Sequence, residues 1–500
     1  MASLLFLQNL EYEFLGPMYV SAIAKKYGHE CKLAIGNTLV EFRPVIEKMK
    51  PDVVGFSIMS GSHKWALEVA RQLKRDYNIP NIFGGAHPTF FPSFVEEEGV
   101  DMILRGEGEE SMVDVLNRMD QKKSLTDIPN VWLKNGRVYQ NDVRGLRSDL
   151  DDYPFPDRTL YDDGDGRLDR SIRNVITSRG CPWHCSFCFE DTMRELYDGK
   201  GKYVRIRNID NVIEECVALR DTTDVRAIYF ADDVFGMSRQ WLYEFLPRYK
   251  KEVGLPFICL VRADIVSQDK EYAYRLAEGG CKSVFFGVES GNEGLRNNVL
   301  LKSLTDAQIE TAAEYLHDAE IPFRTYNITA LPGETLGDAF STVNLNIKIK
   351  TDYPWCSVFS PFPGTALTDY AIQEGYLDRD FDPDQLSRSF FTDTKMKHPD
   401  ADQLENLQKF FQTAVLWPWT FPIVKRLIRL KPNMLFRLWF GLVYFHLYIN
   451  SEITIVENED AEVLHTILNS CGNNFYEKCK NSEIDDVLDL INNFSEIKLR

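Results

Sequence analysis

Three cysteines in one short run constrain this chain more than any other feature. Cys181, Cys185 and Cys188 lie in the run Ser-Arg-Gly-Cys-Pro-Trp-His-Cys-Ser-Phe-Cys-Phe, directly after a segment that we predict to be a strand. The spacing lacks the second cysteine pair of common zinc sites, and a disulfide framework favours an even count in a small secreted chain. Thiolates also hold iron–sulfur clusters, and a cubane needs four ligands. Three local thiolates would leave one iron open to a substrate or cofactor; the plainer alternative is three unlinked buried thiols.

Composition limits the classes of protein to which the chain can belong. Its 500 residues are too many for one core and predict two or three domains. A net charge of −18 argues against a nucleic-acid partner, which requires a basic surface. The other cysteines are spread along the chain, so we expect a reducing, cytoplasmic location. The first residues lack the basic start of a signal peptide, and no apolar window of about 18 residues predicts a certain membrane span.

Strands and helices alternate over residues 1–141, which predicts an α/β domain with a doubly wound parallel sheet. The predicted strands are Leu4–Leu7, Glu30–Ala34, Asp52–Ser57, Asn81–Phe83 and Met102–Leu104. Ligands of such sheets bind beyond the carboxyl ends of the strands, where glycine allows close approach to the backbone. The candidate binding residues at these ends are Ser57, Ser60, Gly84, Gly85, His87 and Glu107.

A second alternating series predicts a parallel barrel over residues 171–375. An Asp- and Pro-rich linker, residues 142–170, precedes the barrel, and residues 376–500 are predicted to be a helical domain. The predicted barrel strands are Val175–Ser178, Ala227–Ala231, Phe257–Val261, Ser283–Val288, Phe323–Ile328 and Ser357–Phe359. Chemistry in parallel barrels lies at the carboxyl ends of the strands. The candidate residues at or near those ends are Asp232, Asp233, Arg262, Glu289, Ser290 and Tyr326.

The cysteine run and the barrel pattern together resemble the radical SAM enzymes. The runs Leu-Pro-Gly-Glu-Thr and Pro-Phe-Pro-Gly-Thr after the last two strands also resemble that family. The resemblance implies a partial (β/α)6 barrel and a 4Fe–4S cluster on Cys181, Cys185 and Cys188. It further implies that the open iron chelates S-adenosylmethionine (SAM), and that one electron cleaves the sulfonium. The resulting 5′-deoxyadenosyl radical would abstract hydrogen from unactivated carbon.

The resemblance also implies which strand ends contact SAM. Asp232 and Asp233 would meet its methionyl amino group, and Glu289 and Ser290 would lie beside its ribose and carboxylate. Each of these carboxylates retains a structural or solvated alternative. Arg262 is expected to pair either with SAM or with a neighbouring carboxylate, and Arg296 and Lys302 are open to a purely surface role. Tyr326 is a candidate catalytic residue. Three further cysteines are expected to be packing thiols, although Cys356 lies close to the predicted mouth of the barrel: Cys259, Cys281 and Cys356.

The N-terminal half resembles the cobalamin-binding domain of the cobalamin-dependent radical SAM group. The matching features are Ser57, the diglycine Gly84-Gly85 and the Gly-Glu-Gly-Glu run that contains Glu107. The loop after the first strand, residues 8–17, lacks the cobalt-ligating histidine of other cobalamin domains, as in many members of this group. The resemblance therefore implies cobalamin without a histidine on cobalt, and His87 as a loop residue near the ligand. The alternative is a degenerate domain that binds nothing.

Several functions remain open on this resemblance. We expect methyl transfer through methylcobalamin to an unactivated carbon of a small-molecule or lipophilic substrate. The alternative within the group is oxidation, ring closure or rearrangement, as in the anaerobic magnesium-protoporphyrin ester cyclase. From another class, the chain could be a non-catalytic corrinoid- or SAM-binding sensor. A methylthiotransferase is disfavoured because only Cys31 precedes Cys181. Expected partners are the substrate and an electron donor such as flavodoxin or ferredoxin, with no nucleic acid.

Two further expectations concern the whole chain. A joint mechanism requires the strand ends of the two domains to converge, with Ser60 and Gly84 facing Asp232, Glu289 and Tyr326. Residues 414–449 are rich in Trp, Phe and Leu with interleaved basic residues. They predict either a buried helical cap or an interfacial helix in peripheral contact with a membrane. We do not expect Cys471 and Cys479 to form a second cluster.

Overall fold

The first sheet of the molecule has seven strands and is covered by helices on both faces. The computed structural model describes residues 1–162, 170–386 and 389–456. The strands are β1 (Ser3–Gln8), β2 (Glu30–Ile35), β3 (Val53–Ser57), β4 (Asn81–Gly84), β5 (Met102–Leu104), β6 (Val131–Asn135) and β7 (Arg137–Tyr139). The helices are α1 (Leu15–Lys26), α2 (Leu39–Met49), α3 (His63–Tyr77), α4 (Ala86–Phe90) and α5 (Glu109–Asp120).

The strand order β2-β1-β3-β4-β5-β6-β7 creates a crevice between β1 and β3, where the direction of winding reverses. The first five strands are parallel, as predicted. Successive residues of β1 enter different cores: Leu4 and Phe6 pack on one face, and Leu5 and Leu7 on the other. A strand buried on both faces is therefore apolar throughout rather than alternating.

The sheet ends in an antiparallel hairpin, β6–β7, that the sequence analysis did not predict. Asn135 pairs with Arg137 across the turn, and Gly136 between them has a positive φ of 69°. Asn-Gly is a strong hairpin signal, because glycine readily adopts the positive φ that tight turns require. The flanking strands are only five and three residues long, so their apolar pattern is weak.

The second sheet has six parallel strands in the order β15-β14-β13-β12-β11-β8, as in the predicted partial barrel. Its strands are β8 (Ile172–Val175), β11 (Ala227–Phe230), β12 (Phe257–Leu260), β13 (Cys281–Glu289), β14 (Phe323–Thr329) and β15 (Tyr353–Val358). A separate antiparallel pair is formed by β9 (Ser178–Arg179) and β10 (Arg205–Ile206). The helices are α6 (Phe189–Leu196), α7 (Ile209–Thr222), α8 (Arg239–Glu252), α9 (Ala263–Val266), α10 (Lys270–Gly279), α11 (Glu293–Asn298), α12 (Asp306–Asp318), α13 (Leu336–Lys348) and α14 (Ala366–Gln373).

Two barrel strands differ from their predicted bounds by three residues or more. The predicted strand Val175–Ser178 is wrong, because β8 ends at Val175 and the chain then leaves the sheet. The Asp232 carboxylate accepts a hydrogen bond from the Thr177 amide, which a neighbouring strand would otherwise bind. The last strand begins at Tyr353 rather than at residue 357, and includes Pro354. Proline is tolerated there because β15 is an edge strand.

Three helices follow the barrel: α15 (Ala401–Leu416), α16 (Phe421–Leu427) and α17 (Met434–Val456). Helix α15 packs against β15 through a core that includes Cys356 and Val358. The expected packing thiols Cys259, Cys281 and Cys356 are all buried. Within the described ranges, no helix is both long and apolar enough to cross a membrane. Cys471 and Cys479 lie outside the described residues.

Candidate active site

The cysteine loop connects the first barrel strand to α6, and its turn requires glycine. Gly180 has a φ of 84°, and a Cβ atom there would lie 2.6 Å from the carbonyl oxygen of Tyr203. Cys188 caps α6, and its amide donates to the Cys185 carbonyl over 3.0 Å. All three thiols are free, with Cys185 buried and the other two half-buried. The loop therefore presents three unlinked thiols at the carboxyl edge of the barrel sheet.

Arg262 lies directly beside these thiols. Its Nη1 atom is 3.8 Å from the Cys185 sulfur, and its guanidinium stacks on Trp183 at 4.4 Å. It also donates to Asp264 over 2.9 Å and to the Lys302 carbonyl over 2.8 Å. Of the two predicted partners of Arg262, SAM or a neighbouring carboxylate, the structure shows the second: the carboxylate of Asp264. A buried cation at this position favours an anionic group on the cysteines.

The two adjacent aspartates after β11 face different surroundings. Asp232 accepts from the Thr177 amide and from the hydroxyls of Thr177 and Ser178, and burial raises its pKa to about 6. It is therefore occupied in holding the segment before the cysteine loop. Asp233 lies on the cysteine side, where its charge acts on Cys181 and on Glu190.

Glu190 belongs to the same pocket, although the sequence analysis did not select it. Its carboxylate accepts from the Cys181 amide over 3.0 Å and from the Tyr203 hydroxyl over 2.8 Å. Burial, with the nearby charge of Asp233, raises its pKa to about 7. One feature of the sequence could have identified Glu190: it lies in the first turn of the helix that begins after Cys188, and therefore close to the cysteines.

Glu289 and Lys302 form a buried ion pair at the end of β13. The Lys302 ammonium donates to Glu289 over 2.7 Å, and both side chains are buried. A Cβ atom at Gly287 would lie 1.9 Å from the Glu289 carboxylate, so this glycine provides the space for the pair. Ser290 is buried, with its hydroxyl accepting from the Asn292 amide and its carbonyl from Arg296. Lys302 and the fully buried Arg296 are therefore not surface charges.

Tyr326 lies on the inner face of the barrel sheet within an aromatic wall. Its ring is 6.2 Å from Phe285 and 6.1 Å from Trp355. Tyr229 extends the wall on the other side of Phe285, at 6.1 Å. The Arg324 guanidinium lies 4.5 Å from the Phe285 ring. The barrel interior is consequently apolar and aromatic, with a cation at one point.

The carboxyl edge of the first sheet forms a cleft at the β1–β3 crevice. Ser57 and Gly85 border it, whereas Ser60, Gly84 and Glu107 are not among its lining residues. The lining comes from the loops after β1, β3 and β4 and from the start of α3: Gln8, Asn9, Leu10, Phe14, Ser57, Ile58, Met59, Ser62, Trp65, Gly85 and Ala86.

His87 and Gly85 contribute to the packing of this edge. The buried His87 ring stacks on His63 at 4.1 Å, and its Nδ1 atom is 3.0 Å from the Ser60 hydroxyl. Burial lowers the pKa of His87 to about 3, so the ring is neutral. A Cβ atom at Gly85 would lie 2.6 Å from the Ile58 carbonyl oxygen, whereas at Gly84 its nearest neighbour would be 3.9 Å away. Gly85 is thus required by the loop backbone itself.

Glu107 contacts the barrel instead of the cleft. Its carboxylate pairs with Arg205 and lies 3.5 Å from Arg179, while Glu109 pairs with Arg179 at 2.6 Å. Although burial opposes ionisation, Arg179 and Arg205 hold the pKa of Glu107 below its usual value. The Gly-Glu-Gly-Glu run therefore joins the first sheet to the residues immediately before Cys181.

Aromatic contacts bring the two carboxyl edges together. Phe90, at the end of α4 after the diglycine, stacks on Phe189 at 4.3 Å, and Phe189 directly follows Cys188. On the other side, the side-chain amide of Asn174 in β8 donates to the Tyr12 hydroxyl over 2.8 Å. The helix after the diglycine and the loop after β1 therefore both contact the barrel, the former beside the cysteine loop. The expected convergence of Ser60 and Gly84 with Asp232, Glu289 and Tyr326 stays a prediction.

Comparisons with known protein families match both parts of this site. Residues 9–116 match the B12 binding domain, and residues 175–345 match the Radical SAM superfamily. The chain belongs to the cobalamin-dependent radical SAM enzymes. The two domains imply three cofactors: the radical SAM domain a 4Fe–4S cluster and SAM, and the B12 binding domain cobalamin.

Named relatives of this cobalamin-dependent radical SAM chain include methyltransferases and a cyclase. It is 28% identical over 376 residues to an uncharacterized methyltransferase, PH0819, of Pyrococcus horikoshii, covering 73% of this chain and 79% of that protein. It is 23% identical to the cytidylyl-2-hydroxyethylphosphonate methyltransferase of Streptomyces wedmorensis, covering 73% and 78%. It is 26% identical to the anaerobic magnesium-protoporphyrin IX monomethyl ester cyclase of Rubrivivax gelatinosus, covering 67% and 61%.

A solved structure shares the fold of this radical SAM chain. The cobalamin-dependent SAM radical enzyme OxsB, with aqua-cobalamin and SAM bound, superposes with a TM-score of 0.66 at 16% identity. The superposition covers 91% of this chain and 72% of that chain. This likeness supports the arrangement of the two sheets.

The residues of the cysteine loop fit an iron–sulfur cluster. Burial raises the pKa of Cys181 to about 11 and that of Cys188 to about 12, so a metal must displace protons to bind. In the described part of the chain, no three His, Cys, Asp or Glu side chains converge on a single-ion site. A cubane does not need such convergence, because each thiolate ligates a different iron.

Proposed function

We propose that this protein methylates an unactivated carbon of a small-molecule substrate. The observation that carries the proposal is the stacking of Phe90 on Phe189, which joins the diglycine loop to the cysteine loop. With both loops at one junction, a substrate between them can meet both cofactors. The chemistry supplied by the bound cofactors is SAM cleavage to a carbon-centred radical and delivery of a methyl group from cobalamin.

The residues of the junction have distinct proposed roles. Cys181, Cys185 and Cys188 hold the cluster, and Arg262 balances its negative charge. Asp233 and Glu190 supply acceptors beside the cysteines for the SAM ammonium group. The Glu289–Lys302 pair lies at the strand end where the ribose and carboxylate of SAM are expected. Ser57 and the cleft at the β1–β3 crevice receive cobalamin.

The aromatic wall supports an apolar substrate surface. Tyr229, Phe285, Tyr326 and Trp355 line the inner face of the barrel sheet. Such a wall excludes water, which protects a carbon radical from side reactions. We propose that Tyr326 contacts the substrate directly, because on β14 it lies opposite Gly287 of β13, two residues before Glu289.

Product analysis tests the proposal. The reduced full chain, purified anaerobically with its cofactors, is incubated with SAM carrying a deuterated methyl group and with lipid and aqueous extracts of its source. Methyl transfer predicts a deuterated product together with S-adenosylhomocysteine and 5′-deoxyadenosine. The matched control is Cys185→Ala, which should form no 5′-deoxyadenosine. If neither nucleoside forms with the wild-type protein and any extract, the sensor alternative is favoured and the proposal fails.

Ring closure is the second candidate, because the Rubrivivax gelatinosus cyclase matches 67% of this chain. The same assay separates the two reactions. A cyclase would release 5′-deoxyadenosine without S-adenosylhomocysteine, and no deuterium would enter the product.

The proposal also covers the electron donor, the cellular location and the domain bounds. We assign the one-electron supply to a flavodoxin or ferredoxin, and the location to the cytoplasm, where thiols stay reduced. We propose domain bounds of 1–141, 142–170, 171–375 and 376–500. The segment 142–162 contacts both sheets: Tyr161 donates to Gln8 of β1 over 2.9 Å, and Arg158 donates to the Asn174 carbonyl of β8 over 2.7 Å.

A further inference from the structure

The helices after the barrel expose an unusual number of apolar side chains. Six of the sixteen large apolar side chains that are exposed in the described residues lie between residues 419 and 439. Trp419 and Leu435 are each 74% exposed, although tryptophan and leucine are normally covered. We call the exposed side chains of residues 419–439 the C-terminal surface. Single exposed apolar residues are ordinary, but a contiguous group marks an interaction site.

The C-terminal surface is basic in an acidic protein. The chain carries a net charge of −18, yet residues 406–451 contain no Asp or Glu. Arg426, Arg429 and Lys431 are exposed, and within the described ranges none of them forms a salt bridge. The exposed Arg43 and Arg71, by contrast, pair with Asp76 and Glu97. Cations without partners beside exposed apolar groups indicate an anionic, partly apolar partner.

The fold holds this surface in place. Asn406 of α15 donates to the carbonyls of Ile428 and Leu430, over 3.1 and 2.6 Å, which fixes the turn between α16 and α17. The Trp439 indole donates to Thr413 over 2.8 Å. Within α16, the exposed Ile423 and Arg426 are three residues apart and therefore lie on one side of the helix. The apolar and basic groups are thus displayed together on a supported element.

We propose that the C-terminal surface docks on an anionic lipid bilayer. Tryptophan and leucine would enter the boundary between headgroups and acyl chains, while arginine and lysine bind the lipid phosphates. Long basic side chains suit this role because their stems cover apolar surface while their charges reach the headgroups. A twofold dimer through the same surface is disfavoured, since it would bring like charges together. The docking does not depend on the proposed reaction.

Docking would place the barrel near the lipid. Helix α17, which carries part of the C-terminal surface, also reaches the aromatic wall: Tyr444 lies 5.3 Å from Trp355. One helix therefore connects the bilayer-facing side chains with the substrate region. This connection favours a lipophilic substrate that is taken from the membrane.

Vesicle flotation tests the docking. The full chain with its cofactors is mixed with vesicles of phosphatidylcholine alone, or of phosphatidylcholine with phosphatidylglycerol, in the absence of SAM. We expect binding to the anionic vesicles that weakens with salt, and little binding to the neutral ones. Arg429→Glu combined with Lys431→Glu should weaken binding by at least about fivefold for each cation lost. The matched control is Lys251→Glu, an exposed lysine on α8 of the barrel, which should bind as wild type.

A second pair of variants isolates the apolar contribution. Leu435→Glu should reduce binding to anionic vesicles, whereas Val40→Glu, at another strongly exposed apolar site on α2 (65% exposed, against 74% for Leu435), should not. Absence of wild-type binding to anionic vesicles would overturn the proposal, as would equal binding by the Arg429/Lys431 variant and wild type. A wild-type dimer in solution that Leu435→Glu converts to a monomer would overturn it in favour of a second copy of the chain.

Discussion

Gly84 and Gly85 are adjacent in sequence but differ in what surrounds them. A Cβ atom at Gly85 would lie 2.6 Å from the Ile58 carbonyl oxygen, and its φ is 94°. At Gly84 the nearest atom would be 3.9 Å away. We expect Gly85→Ala to lower the free energy of unfolding by about 1–3 kcal/mol, through strain and overpacking, and Gly84→Ala to be nearly neutral. Urea unfolding measures both, and a larger loss at Gly84 would contradict the assignment.

His87 should make stability depend on pH. Burial, followed by the nearby His63, lowers its pKa to about 3, whereas an unfolded histidine titrates near 6.5. Between these two pKa values His87 is protonated in the unfolded chain but neutral in the folded chain. The stabilisation by His87 is therefore lost as pH falls below about 6.5. Between about pH 7.5 and pH 6 we expect a loss of roughly 0.8 kcal/mol. Urea unfolding of wild type and His87→Gln at both pH values tests this; identical pH dependence would refute it.

For single residues, the sequence predicts which residue types carry the chemistry better than it predicts which way each side chain points. The three cysteines could be selected because their spacing is local. The choice between Asp232 and Asp233 could not be made, because it depends on Thr177 and Ser178, more than 50 residues away. Glu190 was missed because nothing in the sequence ties it to its partner Tyr203, 13 residues further on. Long-range hydrogen bonds, and not residue type, decide which carboxylate faces the site.

The start of α5 acts as a coupling element between the two sheets. Glu109 of this helix pairs with Arg179, two residues before Cys181, at 2.6 Å. The next residue, Glu110, pairs instead with Arg144 and Arg147, away from the cysteine loop. Two adjacent glutamates on one helix thus differ in whether they contact the loop, and provide a matched comparison.

Glu109→Gln should loosen the cysteine loop, and Glu110→Gln should not. Removal of the Glu109 charge weakens a largely buried ion pair, which typically costs about 3–5 kcal/mol when one partner is lost entirely. We expect faster hydrogen–deuterium exchange in residues 178–188 of the Glu109 variant, with the rest of the barrel unchanged. Equal exchange in both variants, or faster exchange only in Glu110→Gln, would show that α5 does not position the loop.

Element bounds could be predicted where a strand is central and apolar. The five parallel strands of the first sheet lie within a residue or two of their predicted ends. Errors fall on elements with weak or interrupted patterns: the short β6–β7 hairpin, β8, which ends early because of Asp232, and β15, which contains Pro354. Edge position and tertiary hydrogen bonds override local propensity in these cases.

At the scale of the whole molecule, the facing edges follow from topology. Ligands of parallel sheets and barrels bind at carboxyl ends, so two such units with one shared reaction must face each other. The contacts that hold the edges together, Phe90 with Phe189 and Asn174 with Tyr12, have no signature in the sequence. The sequence left open whether residues 414–449 form a buried cap or an interfacial helix, because the exposure of the C-terminal surface depends on how α15 supports α16 and α17.

A cofactor count after anaerobic purification tests the central claim most directly. The account assigns the cluster to the cysteine loop and cobalamin to the cleft beside Ser57, as two separate sites in one chain. Wild type should contain about four iron atoms and one cobalt atom per chain. Cys185→Ala should lose the iron and keep the cobalt. Ser57→Trp should fill the cleft, lose the cobalt and keep the iron. Wild-type protein without cobalt, full iron in Cys185→Ala, or about eight iron atoms per chain would contradict the account.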